Sequence, residues 1–97
     1  MHPLLSKDDV SDLKTLVDQD RKPRGMAVLT RALDDMAFAD THERIREISD
    51  NCIREIAAIY RGTDDDDVAH DYWRFQSALA SASCRRTFQI IQPKGEK

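Results

Sequence analysis

The apolar residues of this chain recur at intervals of three and four, the pattern typical of helices that each bury one face. The stretch Asp64–Ile91 contains no Pro or Gly and carries apolar side chains throughout. It predicts one long helix against which the other segments pack. Three shorter amphipathic stretches precede it, so the sequence predicts an all-α fold of four helices.

Two short helices are predicted in the N-terminal part of the chain. Ser6 is a candidate N-cap with acidic residues in the turn that follows, and one apolar face extends the first helix over Ser6–Gln19. The segment DRKPRG breaks this pattern, and Pro23, tolerated in a first helical turn, begins the second helix, Pro23–Phe38. The inward face expected for the second helix carries Met26, Leu29, Leu33 and Met36.

The third and fourth helices are expected to form an antiparallel hairpin. Asp40 and Glu43 resemble a capping box and predict the start of helix three, although the short gap after helix two also fits a single bent helix. Gly62 is a natural stop, and Thr63 is the predicted cap of the long helix. So short a connection folds helix four back onto helix three. The inner face of helix three carries Ile45, Ile48, Cys52, Ile56 and Ile59.

The long helix carries two apolar faces, which predicts packing neighbours on two sides. It exceeds helix three by about 10 Å at the helical rise, so its last apolar residues need cover from elsewhere. Small residues fill its middle, and we expect a close helix crossing there. A second copy in a homodimer is the favoured neighbour, and helix two of the same chain is the alternative. The first face holds Val68, Tyr72, Phe75, Leu79 and Ala82, and the second holds Ala69, Trp73, Ala80, Cys84, Phe88 and Ile91.

Composition limits the class of protein. The 97 residues, 40% apolar and 34% charged, suit one domain over 1–97, with a flexible lead-in at 1–5 and a flexible tail at 93–97. The net charge of -3 is untypical of a general nucleic-acid binder. We find neither a signal-peptide pattern nor an apolar run near the ~20 residues of a membrane span, so a cytoplasmic protein is expected. Cys52 and Cys84 lack CxxC spacing and are expected to be reduced and packed.

No catalytic or metal-binding set can be assembled from the sequence. Asp67, His70 and Asp71 share a helix face, but a closed metal site needs further ligands, so a solvated first turn is the favoured interpretation. The roles of Asp64–Asp67 and His70 stay open. The glycines are isolated, and no carboxylate pair is enclosed by apolar neighbours for acid–base work. We therefore expect no enzyme activity, no metal and no cofactor.

Two surfaces are candidates for binding. The favoured function is a small regulator or inhibitor that binds a protein through a helical face, because interface hot spots are enriched in aromatic residues and Arg. The alternative is an anionic ligand or nucleic acid at the start of helix two, where the helix dipole favours an anion; the aspartates of helix one oppose phosphate there. The partner-binding candidates are Tyr72, Trp73, Arg74, Phe75, Leu79 and Phe88. The anion-binding candidates are Arg21, Lys22, Arg24 and Arg31.

Overall fold

The fold was analysed in a computed structural model, which describes residues 2–62 and 65–91. Within these ranges the chain forms four α-helices and no β-strand, so the predicted all-α fold is confirmed. The helices are α1 Lys7–Leu13, α2 Lys22–Ala37, α3 His42–Ile59 and α4 Asp66–Ile91.

The longest helix, α4, is the central element, because α1, α2 and α3 all pack against it. α2 also packs against α3. The Ser49 hydroxyl in α3 shares a hydrogen bond with the Ser83 hydroxyl in α4. His42, which begins α3, lines the same groove as Ile91, which ends α4. α3 and α4 therefore run antiparallel, as the short connection predicted.

The core lies where α4 meets α2 and α3. The predicted inward faces of these helices supply it, and the Phe75 ring of α4 lies directly against Gly25 of α2. A Cβ atom added there would lie 2.6 Å from Cζ of Phe75, so only glycine fits without a shift of the ring. The largest fully buried side chains are Phe75, Leu29, Leu33, Met36, Ile45, Ile56, Leu79, Asp71 and Cys52.

The first helix, α1, begins as predicted but ends early. The Ser6 hydroxyl accepts a hydrogen bond from the Asp9 N–H, and the Asp9 carboxylate accepts one from the Ser6 N–H, which completes a capping box. The helix ends at Leu13, so the prediction that it reaches Gln19 is wrong. The reason is tertiary: the Asp71 carboxylate of α4 binds backbone N–H groups of the following loop, which a continued helix would bind to its own carbonyls.

The N-cap of the third helix, α3, lies one residue later than predicted. Thr41 is the N-cap, and its hydroxyl accepts a hydrogen bond from the Arg44 N–H at 3.1 Å. The cap predicted at Asp40 is therefore wrong. Ala39 and Asp40 are not helical, which separates α2 from α3 and excludes a single bent helix. Gly62 follows α3 with a φ of 85°, the left-handed conformation expected of a glycine stop.

α4 ends at Ile91 as predicted, but Asp65 is not helical, so the prediction of helix at this residue is wrong. The predicted start at Asp64, the cap at Thr63 and the terminator Pro93 lie outside the described residues. Across the residues that are described, none of the helices combines the length and hydropathy that crossing a membrane requires.

Candidate functional site

The two apolar faces predicted for α4 differ in burial. The first packs into the core, whereas the second points away from it into solvent. Trp73 is 62% exposed, and Phe88 and Ile91 are each 63% exposed. The predicted overhang of these last residues past α3 is wrong, because Ile91 lies in the same groove as His42, the first residue of α3. Ile90 packs against the core, whereas Phe88 and Ile91 stay exposed. We call the exposed row the outer face; its members are Ala69, Trp73, Ser77, Ala80, Cys84, Phe88 and Ile91.

The outer face itself carries no charged residue, and the arginines of the same stretch, Arg74, Arg85 and Arg86, are partly buried. Every residue from Ala69 to Ile91 is described, and none of the exposed positions among them is Lys, Arg, Asp or Glu. On α2 and α3, by contrast, charged residues make up half or more of the exposed positions. A solvated helix face is normally polar. An apolar strip of about 33 Å, from the helical rise, is therefore typical of an interaction surface.

A groove between α3 and α4 adjoins the outer face. It has a volume of about 560 Å³. The α4 side of the groove includes Ala80, Cys84, Phe88 and Ile91, so the groove and the outer face form one continuous surface. The α3 side contributes apolar Ile45 and Ile53, with Arg46 and Asp50 at its exposed edge.

The predicted partner-binding residues separate into surface and core groups. Trp73 and Phe88 lie on the outer face, whereas Phe75 and Leu79 are at most 2% exposed and pack in the core. The sequence interpretation grouped neighbours in the chain, but consecutive residues on a helix point in different directions. Ile91 was not among the predicted partner-binding residues, although its place in the second apolar pattern of α4 indicated that it belongs to the same face. The remaining two candidates, both partly buried, are Tyr72 and Arg74.

The two cysteines lie in different surroundings. Cys52 is buried with its thiol directed at the Val28 carbonyl, and burial raises the pKa of the Cys52 thiol to about 12. Cys84 is exposed on the outer face, so the expectation that both cysteines are packed is wrong for Cys84. The accessible thiol therefore lies within the candidate binding surface.

Asp71, considered above as a metal ligand, has a structural role. Its side chain is fully buried. One carboxylate oxygen accepts the N–H of Val17 at 2.9 Å, and the other accepts the N–H of Asp18 at 2.8 Å. Asp67 and His70 stay exposed, which agrees with a solvated first turn for them but not for Asp71. Among the described residues, no three His, Cys, Asp or Glu side chains are grouped to hold a metal ion.

The four basic candidates for anion binding have separate environments. Arg21 forms an ion pair with Asp18, and its guanidinium lies 6.0 Å from the centre of the Tyr60 ring. Hydrogen bonds from the Arg21 backbone and side chain hold the pKa of Asp18 below its ordinary value. Arg31 is 2.6 Å from the Glu55 carboxylate. An anion would compete with these carboxylates for both guanidinium groups. The other two are Lys22, partly buried, and Arg24, exposed.

Comparisons with known proteins give no assignment. No protein-family model matches the chain, and neither the search of curated proteins nor the search of solved structures finds a match. The function is therefore inferred from the geometry and chemistry of the surface itself.

Proposed function

We propose that this protein is a non-enzymatic interaction protein, a small regulator or inhibitor, which binds a helix of a protein partner along the outer face and the adjoining groove. The observation that carries the proposal is the exposure of Trp73, Phe88 and Ile91 on a helix face without charge. An aromatic side chain can bury about 150–250 Å². At ~25 cal/mol per Å², covering the exposed parts of Trp73 and Phe88 contributes roughly 3 kcal/mol each before association costs.

The arrangement of large and small side chains favours a helix as the bound element. Helices pack at interaxial distances of about 8–10 Å, the shorter ones where side chains are small. Ser77, Ala80 and Cys84 provide such a centre on the outer face. Trp73 and Phe88 flank this centre and are spaced as anchors for an amphipathic helix lying lengthwise. The groove beside them accepts side chains from the bound helix.

A photo-crosslinking experiment in the native host tests this proposal. A benzophenone amino acid replaces Cys84 on the outer face or, as the control, Ala27, which is exposed on α2 away from the groove. We expect irradiation to give a protein adduct from position 84 only. Adding Ala80→Glu should abolish the adduct, because it places a charge in the centre of a desolvated contact. Equal adducts at both positions, or none at position 84, would contradict the proposal.

The fold of the Ala80→Glu variant serves as the necessary control. Ala80 is exposed, so the new carboxylate faces solvent in the free chain. Glu is nearly as good a helix former as Ala. We therefore expect far-UV circular dichroism and the urea midpoint of Ala80→Glu to match those of Ala27→Glu, the same change at an exposed alanine of α2.

A further inference from the structure

We infer that the helix bound by the outer face is α4 of a second copy of this chain, in an antiparallel pair with two-fold symmetry; the inference rests on the proposed function. A two-fold interface needs a surface that complements itself. The central part of the outer face meets this condition, because small residues flank Ala80 and an aromatic residue lies about two helical turns away on each side, although the outermost pair is unequal. Outward from Ala80, the pairs are Ser77 and Cys84, Trp73 and Phe88, and Ala69 and Ile91.

This symmetry determines which side chains meet. If the two-fold axis passes Ala80, the small centres of both helices cross and the backbones approach closely. Trp73 of one copy then lies beside Phe88 of the second, and the same contact repeats at the other end. Aromatic pairs of this kind contribute beyond the area that they bury. A parallel pair would instead place Trp73 against Trp73 and the two acidic first turns of α4 together, which is electrostatically unfavourable.

Charges on α3 complement each other in the same arrangement. The two-fold axis of this antiparallel pair lies in the interface and is perpendicular to α3 and α4. Rotation about it places α3 of one copy opposite α3 of the other. Ser49 bonds Ser83, so in this antiparallel hairpin Asp50 lies level with residue 82 and Arg54 with residue 78. These levels are equally far from Ala80. The two-fold therefore brings Asp50 of each copy level with Arg54 of the other, and both side chains are exposed on the same surface of α3.

The surface is also large enough for a stable pair. The outer face is about 33 Å long, and with α3 alongside at the usual helix spacing it is about 20 Å wide. Each copy would then cover about 650 Å², or about 1,300 Å² for the pair, which lies within the roughly 1,200–2,000 Å² of specific protein interfaces.

Sedimentation equilibrium of the full chain, from low-micromolar to near-millimolar concentration, tests the pair. We expect the wild type and Ala27→Glu to pass from monomer to dimer with the same Kd. Ala80→Glu should raise that Kd by about 100-fold or more, because two carboxylates would meet at the axis. A wild type that stays monomeric throughout the range overturns the inference.

A charge exchange on α3 tests the orientation of the two copies. Asp50→Arg alone and Arg54→Asp alone each set like charges against each other twice, and we expect each to raise Kd by about three- to tenfold. The double variant restores both opposite-charge contacts and should return Kd to near the wild-type value. Failure of the double variant to recover association would exclude the antiparallel pair even if a dimer forms.

The two experiments separate this inference from the proposed function. In one outcome, the wild type stays monomeric and still forms an adduct with a different protein through position 84. That result overturns the inference that a second copy is bound and leaves the proposed function in place. If neither a dimer nor an adduct is found, both the proposed function and the inference are wrong. A dimer whose adduct from position 84 is the chain itself supports both.

Discussion

Removal of the Asp71 carboxylate should lower the free energy of unfolding of this protein more than removal of an exposed polar group. It is fully buried and accepts hydrogen bonds from the Val17 and Asp18 N–H groups in the loop that joins α1 to α2. Asp71→Ala leaves both donors without this acceptor, and an unsatisfied donor costs about 1–3 kcal/mol. Water reaches part of the loop, since Val17 is 50% exposed. We therefore expect Asp71→Ala to lower the free energy of unfolding by about 2–4 kcal/mol.

The conservative variant gives an internal check on this value. Asp71→Asn retains the shape of the side chain and one acceptor oxygen, but it sets an amide N–H₂ group close to a backbone donor. The expected loss is about 1–2 kcal/mol, smaller than that of Asp71→Ala. Both losses are an appreciable fraction of the free energy of unfolding of a typical domain, roughly 5–15 kcal/mol.

Urea unfolding followed by circular dichroism measures these changes, with the midpoint and the slope fitted separately. Asp67→Ala is the matched control, because Asp67 is exposed in the first turn of the same helix. We expect the control to change stability by about 0.5 kcal/mol or less. Hydrogen exchange should also accelerate at Val17 and Asp18 in Asp71→Asn. If Asp71→Ala were no more destabilising than the control, this carboxylate would not hold the loop.

Two further predictions concern the core. Gly25→Ala should lower the free energy of unfolding by about 1–3 kcal/mol in the same urea assay, because the new Cβ overlaps the buried Phe75 ring; unchanged stability would contradict that close approach. The Tyr60 hydroxyl is buried and has no hydrogen-bond partner among the described residues, and burial raises the pKa of Tyr60 from 10.0 to about 12. The folded chain thus keeps this proton to higher pH than the unfolded chain, so the contribution of Tyr60 to stability falls as pH rises through this window. Tyr60→Phe should lack this part of the alkaline loss and be at least as stable at neutral pH; an unaltered alkaline profile would refute this assignment.

Most of the fold could be predicted from local sequence. The wrong predictions of the cap of α3 and of the end of α1 have different causes. α4 and its hairpin with α3 follow from apolar periodicity and from glycine and proline at the breaks. The cap of α3 could not be chosen, because Asp40 and Thr41 are both good N-cap residues. The end of α1 depends on Asp71, which lies far along the chain and binds the loop only after α4 has packed.

The candidate site was predictable in part. The pattern on α4 distinguished two apolar faces, including the one that carries Trp73 and Phe88. It did not indicate which face points outward, because that depends on where α2 and α3 pack. The groove beside Ile53 depends on how α3 and α4 are placed relative to each other, which no single-helix pattern contains.

The buried and exposed faces of α4 consist of different residues, and this affects which substitutions the fold can accept. Residues such as Phe75 and Leu79 are buried in the core, whereas Trp73 and Ala80 are exposed in the single chain. Because the two sets share no residue, we expect replacements in the exposed set to leave the core packing intact. If the outer face binds a partner as proposed, its specificity can change by substitution without loss of the fold.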